Sequence, residues 1–187
     1  TSFDVGMYQL GGYSLYLSPN EIKLGQRESV ADVARVLGRY VNLIMARVFS
    51  HDHILELAKY SPVPIINGLS DYNHPCQGMG DYLTMLEEWG SLEGRTLAYV
   101  GDGNNVLTSL INGAAHAGVR IHAAMPGGYE PNAAIIEKAR AQGATISIFP
   151  DPVEAVTGAD AIYTDVWTSM GFATRDIRAF KDYQVNV

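Results

Sequence analysis

The fold is decided by the stretch Thr96-Leu97-Ala98-Tyr99-Val100-Gly101-Asp102-Gly103-Asn104-Asn105, in which a strand, a glycine turn and a helix start follow one another. The apolar run at 96–101 is continuous rather than alternating, which is typical of a strand that is buried on both faces of a parallel sheet. Helical periodicity follows over 105–117, and a second apolar, β-branched run occupies 119–125. This β-α-β order predicts parallel strands with a helix packed against them.

The same alternation extends over the whole chain. Predicted strands are residues 13–17, 41–46, 64–67, 96–101, 119–125, 145–149 and 161–164. Predicted helices are residues 29–40, 51–59, 77–89, 105–117, 131–142 and 153–157. We therefore expect an α/β protein of two lobes, each a mostly parallel sheet covered by helices, joined by a bridging helix. We assign residues 1–75 to the first lobe and 76–187 to the second, with the helix after Pro75 as the bridge.

The composition limits the possible functions. Of the 187 residues 47% are apolar and 18% are charged, which indicates a buried core rather than disorder. The net charge of −7, without any basic run, makes nucleic acid and anionic membranes unsuitable partners. No apolar stretch approaches the roughly 18 residues of a membrane span. The single cysteine, Cys76, cannot form an internal disulfide, which favours a reducing, cytoplasmic location.

Both ends of the sequence have the pattern of interrupted elements. Phe3, Met7 and Leu10 have helical spacing immediately after the first residue, which is not methionine. Residues 183–187 read as a strand that enters a sheet. We therefore expect this chain to be part of a longer protein.

The quartet His74-Pro75-Cys76-Gln77 predicts a binding site at the start of a helix. Proline suits the first helical turn, which places His74 at a helix N-terminus where backbone N–H groups favour an anion or a carbonyl oxygen. Gln77 can donate and accept hydrogen bonds at the same place. The alternative is a structural cap whose histidine satisfies a buried carbonyl. A thiol nucleophile at Cys76 is disfavoured, because neighbouring side chains seldom point at one another.

A second site is indicated by Asp165-Val166-Trp167-Thr168-Ser169-Met170-Gly171, which follows a predicted strand. One carboxylate beside a hydroxyl and a thioether suits a cationic amine on an aliphatic stem. The alternative is that Asp165 only caps a turn.

Two other patterns suggest cofactors but do not satisfy the requirements. The loop at 101–105 resembles a dinucleotide-binding turn, but its third glycine is replaced by Val106, and Met125-Pro126 stands where an acidic residue is needed. His51-Asp52-His53 lacks the further cysteine or carboxylate ligands of a metal site, and we interpret it as a helix start. The sequence therefore predicts neither a metal nor an organic cofactor.

Together with residues 64–71, these motifs resemble the aspartate/ornithine carbamoyltransferase family, and the D-x-W-x-S-M-G pattern resembles its ornithine-using members. The matching residues are Arg47, His74 and Gln77 for carbamoyl phosphate, and Asn105, Asp165, Ser169 and Met170 for ornithine. The resemblance implies that Arg47, His74 and Asp165 are catalytic. It also implies transfer of a carbamoyl group from carbamoyl phosphate to the δ-amine of L-ornithine, giving L-citrulline and phosphate, in a homotrimer without a cofactor.

The sequence departs from the family pattern in three places. The S-T-R-T-R phosphate loop and the H-C-L-P segment are not among these residues, and Lys23 stands where relatives often carry glutamine. A lysine at that position, in a loop that reaches a neighbouring subunit in the family, can still meet a phosphate. Two alternatives therefore stay open: a carbamoyltransferase for another amine such as putrescine, and a non-catalytic α/β fragment.

Overall fold

The computed structural model describes residues 1–167 and 176–185. Its strands are β1 (Ile44–Arg47), β2 (Ile65–Leu69), β3 (Thr96–Val100), β4 (Arg120–Ala124), β5 (Ile146–Phe149) and β6 (Ala161–Tyr163). Its α-helices are α1 (Ser2–Gln9), α2 (Pro19–Ile22), α3 (Val30–Leu37), α4 (His51–Tyr60), α5 (Pro75–Trp89), α6 (Asn105–Ala117), α7 (Ala133–Ala141) and α8 (Pro152–Val156). A 3-10 helix spans Ile177–Tyr183. None of the described helices is both long and apolar enough to cross a membrane.

The larger sheet has four parallel strands in the order β5-β4-β3-β6. All five residues of β3 are buried, so this strand is covered on both faces, as its continuous apolar run predicts. Helix α6 packs between α5 and α7, and α8 contacts β3, β4 and β5. Leu107, Leu110, Ile111 and Ile121 form the centre of the core and are inaccessible to solvent. Their burial is the main driving force for this part of the fold.

The smaller sheet pairs β1 with β2 in parallel. Helices α3 and α4 pack against each other. Val30 and Ala34 of α3 and Leu57 of α4 form a separate buried cluster. Ser29 begins α3 by accepting a hydrogen bond from the Asp32 N–H at 3.1 Å. The prediction of an α/β protein with two parallel sheets covered by helices is confirmed.

Helix α5 connects the two parts of the fold, since it packs against β2 of the smaller sheet and against α6, which follows β3 of the larger sheet. Pro75 occupies its first turn and His74 its N-cap position, as the sequence predicts. The helix approaches α6 closely at Gly78, where a Cβ would lie 3.3 Å from the Cβ of Ser109. Gly90 ends the helix in the left-handed conformation, with φ of 72°. This arrangement is that of the bridging helix expected from the sequence, while the lobe boundaries at 1–75 and 76–187 stay a prediction.

Two predicted strands are wrong. Residues 12–18 form no regular structure, and the aromatic side chains of Tyr13 and Tyr16 are exposed. The β propensity of this segment has no effect here, because no strand among the described residues pairs with it and no core packs on it. At the other end, Tyr183 belongs to the 3-10 helix, and residues 184–185 have no regular structure. Residues 186–187 lie outside the described part.

Candidate active site

The strand order of the larger sheet marks the place where a ligand is expected. From β3 the chain continues to β4 and β5 on one side, whereas β6 pairs with the other side of β3. In open α/β sheets, ligands bind beyond the carboxyl ends of the strands at such a reversal of strand order. The loop at 101–105 follows β3, and Asp165 follows β6 by two residues. Both sequence motifs of the second lobe therefore meet at this switch point.

Asn104 connects the two strand ends. Its side-chain carbonyl caps α6 by accepting hydrogen bonds from the backbone N–H groups of Val106 and Leu107, at 2.9 and 3.1 Å. Its amide nitrogen donates to the carboxylate of Asp165 at 2.8 Å. The same residue thus begins the helix after β3 and holds the acidic side chain after β6.

The next residue, Asn105, contacts the first sheet. Its amide nitrogen donates to the backbone carbonyl of Ser70 at 2.8 Å, in the loop that follows β2. Ser70 is fully buried, and its hydroxyl pairs with the ring nitrogen Nδ1 of His51 at 2.8 Å. Asn105, predicted to bind ornithine, is therefore placed between the two sheets.

Ser109, one turn further along α6, secures the start of α5. Its hydroxyl accepts the backbone N–H of His74 at 2.7 Å and donates to the carbonyl of Asn105 at 2.9 Å. Ser109 is 8% exposed, so the His74 N–H is satisfied inside the protein rather than by bulk water. The first turns of α6 thus fix Asp165, Ser70 and His74 relative to one another.

The imidazole of His74 lies within the electrostatic field of the predicted site. Burial lowers the pKa of His74, the positive charge of Arg47 lowers it further, and the carboxylates of Asp81 and Asp165 act in the opposite direction. The ring is therefore neutral at pH 7. Its Nδ1 is buried and has no hydrogen-bond partner among the described residues. Arg47 and Asp165 thus both lie close enough to His74 for their charges to act on its pKa.

Arg47 ends β1, and its exposed side chain stands at the carboxyl edge of the smaller sheet. The pairing register shifts between Ala46 and Arg47, because Ala46 pairs with Asn67 whereas Arg47 pairs with Leu69. Such an irregularity changes the direction of the side chain that follows it. The intervening Gly68 approaches β1 closely, since a Cβ there would lie 2.5 Å from the sulfur of Met45. The predicted position of Arg47 at the end of a strand is confirmed.

The exposed side chain of Gln77 is held by a residue of the same helix, α5. Its amide nitrogen donates to the carboxylate of Asp81, one turn later, at 2.8 Å. Burial and the charge of the Asp81 carboxylate raise the pKa of the Tyr163 hydroxyl, at the end of β6. The Tyr163 ring in turn stacks on Tyr99 with a centroid distance of 5.7 Å. Gln77 is therefore linked to the same strand end as Asp165.

Family models match both parts of the chain. The model described as "Aspartate/ornithine carbamoyltransferase, carbamoyl-P binding domain" matches residues 1–87, and the model described as "Aspartate/ornithine carbamoyltransferase, Asp/Orn binding domain" matches residues 93–187. The chain belongs to the aspartate/ornithine carbamoyltransferase family. The carbamoyl phosphate motif and the Asp165 motif fall in different family domains.

Named relatives agree with this family membership. The chain is 53% identical over 189 residues to the chloroplastic ornithine carbamoyltransferase of Pisum sativum, covering 99% of this chain and 50% of that protein. It is 50% identical over 192 residues to the ornithine carbamoyltransferase of Thermococcus kodakarensis, covering 99% of this chain and 61% of that protein. The chain thus spans about half to three-fifths of the length of these two relatives.

Solved structures of the family have the same fold. The ornithine carbamoyltransferase of Thermus thermophilus superposes with a TM-score of 0.88 at 42% identity, covering 98% of this chain and 61% of that chain. The anabolic enzyme of Campylobacter jejuni gives a TM-score of 0.91 at 38% identity, covering 99% of this chain and 64% of that chain.

Some predicted family contacts stay untested. Ser169 and Met170 lie outside the described residues. Lys23 is exposed and ends α2 in the left-handed conformation, with φ of 42°. A cavity of about 390 Å³ opens beside Asp165 and is also lined by Trp167 and Ile177. It belongs to the strand end where the family's amino-acid substrate is expected.

Four residues of the site were not predicted from the sequence: Asn104, Ser109, Asp81 and Tyr163. Two of them had a detectable signal. An asparagine before an apolar helical run is a typical N-cap, and an acidic residue four positions after Gln77 lies on the same helix face. Ser109 and Tyr163 gave no such signal, because their partners are distant in the sequence.

The residues behind the alternative chemistries have other contacts in the structure. The space beside Gly103 is filled by the chain itself: its N–H donates to the carbonyl of Tyr129 at 2.9 Å, and a Cβ there would overlap that oxygen. In a dinucleotide site the corresponding glycine allows the pyrophosphate to approach. Burial raises the pKa of the Cys76 thiol, which disfavours a thiolate nucleophile. His51 packs on Tyr72 with a centroid distance of 4.8 Å, and the described residues include no cluster of three metal-ligating side chains.

Proposed function

We propose that the protein containing this chain transfers the carbamoyl group of carbamoyl phosphate to the δ-amine of L-ornithine, giving L-citrulline and phosphate. The observation that carries the proposal is the first part of α6, which holds Asp165 through Asn104 and His74 through Ser109. A carboxylate suited to an amine and an imidazole suited to a carbonyl oxygen are thereby fixed by one helix. Their side chains are close enough for the Asp165 charge to act on His74.

In this reaction Arg47 and His74 polarise the carbamoyl carbonyl. As the amine attacks, the carbonyl oxygen gains negative charge, and the fixed positive charge of Arg47 stabilises it. His74 has a lowered pKa and is neutral, so it contributes an N–H donor rather than a second charge. Preorganised donors of this kind require no rearrangement at the moment of reaction.

Gln77 and Asp165 orient the two reacting nitrogen atoms. The Gln77 amide nitrogen is engaged by Asp81, which leaves its carbonyl oxygen to accept from the carbamoyl NH₂. Asp165 positions the δ-amine, which attacks in its neutral form, and phosphate then leaves from the tetrahedral intermediate. A carboxylate favours the charged amine, so the proton must be taken up by another group. Asn105, Ser169 and Met170 would hold the α-amino and carboxylate end of ornithine.

We extend the proposal to the assembly and its location. Residues 1–75 would form the carbamoyl phosphate lobe and residues 76–187 the ornithine lobe, which close to align the substrates. The complete protein would be a homotrimer, in which Lys23 reaches the phosphate bound by a neighbouring subunit. The single cysteine suits a reducing, cytoplasmic location.

The test is citrulline formation by the complete protein that contains these residues, with and without ornithine. Asp165→Asn is expected to abolish most of the activity while the affinity for carbamoyl phosphate, measured by calorimetry, stays within about twofold of wild type. Loss of carbamoyl phosphate binding in Asp165→Asn would contradict the assignment of the two half-sites. Faster carbamoylation of putrescine than of ornithine would instead support the diamine alternative.

A further inference from the structure

We propose that Asn104 is a positioning residue that aims the Asp165 carboxylate at the amine of the acceptor substrate. The inference rests on the proposed function and adds a residue to its amine site. The family resemblance points to Asn105 and not to Asn104. The hydrogen bonds of the Asn104 amide leave it only one orientation.

The orientation of the Asn104 side chain follows from its partners. Two backbone N–H groups, of Val106 and Leu107, donate to its oxygen Oδ1, and the Tyr99 hydroxyl lies 3.2 Å from the same atom. A flipped amide would turn its NH₂ group toward these two backbone donors and leave the start of α6 without a cap. The nitrogen Nδ2 must therefore face away from the helix, where it donates to Asp165 Oδ2 at 2.8 Å.

The two partners differ in how firmly they are anchored. Asn104 is 4% exposed at the start of a core helix, and Tyr99 beneath it is fully buried in the central strand. Asp165 is only half-buried and lies in the loop after β6, outside the strand pairing. Because the core holds Asn104, its hydrogen bond fixes the position of the less constrained Asp165 carboxylate. Because Nδ2 engages Oδ2, we assign the other oxygen, Oδ1, to the amine.

Two substitutions at Asn104 separate its role as the cap of α6 from its role in positioning Asp165. Serine and aspartate are N-caps of about the same quality as asparagine, so Asn104→Ser and Asn104→Asp both keep the start of α6. Neither variant has an amide N–H to donate to Asp165. In addition, Asn104→Asp places a second negative charge against Asp165, which disfavours the conformation in which the two groups face each other. A purely structural cap would tolerate both changes.

The experiment uses the complete protein and measures citrulline formation against both substrates. We expect the KM for ornithine to rise about tenfold in Asn104→Ser and further in Asn104→Asp, in line with loss of a hydrogen bond to a charged group. The KM for carbamoyl phosphate and the melting temperature should stay close to wild type. Asn132 caps α7 in the same way, with its side chain accepting the Ala134 N–H at 2.9 Å. The matched controls Asn132→Ser and Asn132→Asp should leave both KM values unchanged.

Two results would overturn the proposal: unchanged ornithine KM in both Asn104 variants, or an equal change in both KM values together with a lower melting temperature. A crystal structure of Asn104→Ser provides a test that does not depend on activity. We expect the Asp165 carboxylate to leave its wild-type position, and an unmoved carboxylate would refute the positioning role. If wild-type protein forms no citrulline, the proposed function fails, and this crystal structure still decides whether Asn104 positions Asp165.

Discussion

The hydroxyl of Ser109 offers the sharpest test of how α6 holds the site. Ser109→Ala removes the oxygen that accepts the His74 N–H at 2.7 Å and donates to the Asn105 carbonyl at 2.9 Å. The Asn105 carbonyl keeps its place in the helix ladder, whereas the His74 N–H loses its partner in a partly buried position. The change therefore removes one specific contact between α5 and α6 and creates little empty space.

The magnitude follows from the unsatisfied donor. A buried N–H without a partner costs about 1–3 kcal/mol, and the better helix propensity of alanine offsets roughly 0.5 kcal/mol of that. We expect the free energy of unfolding to fall by about 0.5–2.5 kcal/mol. Because the contact sets the position of His74, we also expect carbamoyl phosphate to bind more weakly. Urea unfolding and calorimetry on the complete protein measure the two effects.

Thr84 provides the control for removing a helical hydroxyl. Its hydroxyl donates to the Gly80 carbonyl at 2.9 Å, within α5 and on an exposed surface. Thr84→Ala should leave the free energy of unfolding unchanged within about 0.5 kcal/mol or raise it slightly. If Ser109→Ala behaved like Thr84→Ala, the His74 N–H would be satisfied without the serine, and Ser109 would not hold the start of α5.

Two further predictions concern His74 and Gly103. The pKa of His74 is lowered in the folded protein. The unfolded chain therefore takes up an extra proton as the pH falls through the ordinary histidine range near about 6.5, and stability decreases. Between pH 8 and 5.5, urea unfolding should show a smaller decrease in the free energy of unfolding for His74→Asn than for wild type. The exposed His116→Asn should match wild type, and an equal decrease in both variants would exclude this cause. Gly103→Ala should lower the free energy of unfolding by about 1–3 kcal/mol, since its Cβ overlaps the Tyr129 carbonyl. Gly80→Ala, with open space around its Cβ, should raise it by about 0.5–1 kcal/mol, and equal effects would contradict the overlap.

The fold was predictable where the sequence pattern is local. The continuous apolar run of β3 and the periodicity of α6 each specify an element without reference to distant residues. Residues 13–17 show the limit of such reasoning, because their aromatic and apolar content predicts a strand whether or not a partner strand is present. The structure has no partner for them among the described residues, and their large side chains remain exposed.

The sequence points to candidate site residues at the ends of predicted elements, but not to the hydrogen bonds that connect them. His74 and Asp165 are candidates because each stands at the beginning or end of a predicted element, and Arg47, at a strand end, is a candidate through the family resemblance. The family resemblance points to Asn105 rather than Asn104, although the N-cap position explains why an asparagine is needed at 104. The contact between Ser109 and His74 joins residues 35 positions apart, and only the packing of α5 on α6 brings them together.

The hydrogen bonds of Asn104 and Ser109 couple the positions of the two half-sites. Asn104 and Ser109 belong to the first turns of one helix, so a shift of α6 moves the Asp165 carboxylate and the start of α5 together. The helix is packed between α5 and α7 with most of its residues buried, which resists independent movement of either end. An amine held by Asp165 and a carbonyl held by His74 would therefore be aligned through α6 when the lobes close. Such alignment of two reactants converts an encounter in solution into a reaction within one complex, and α6 is the element that would provide it.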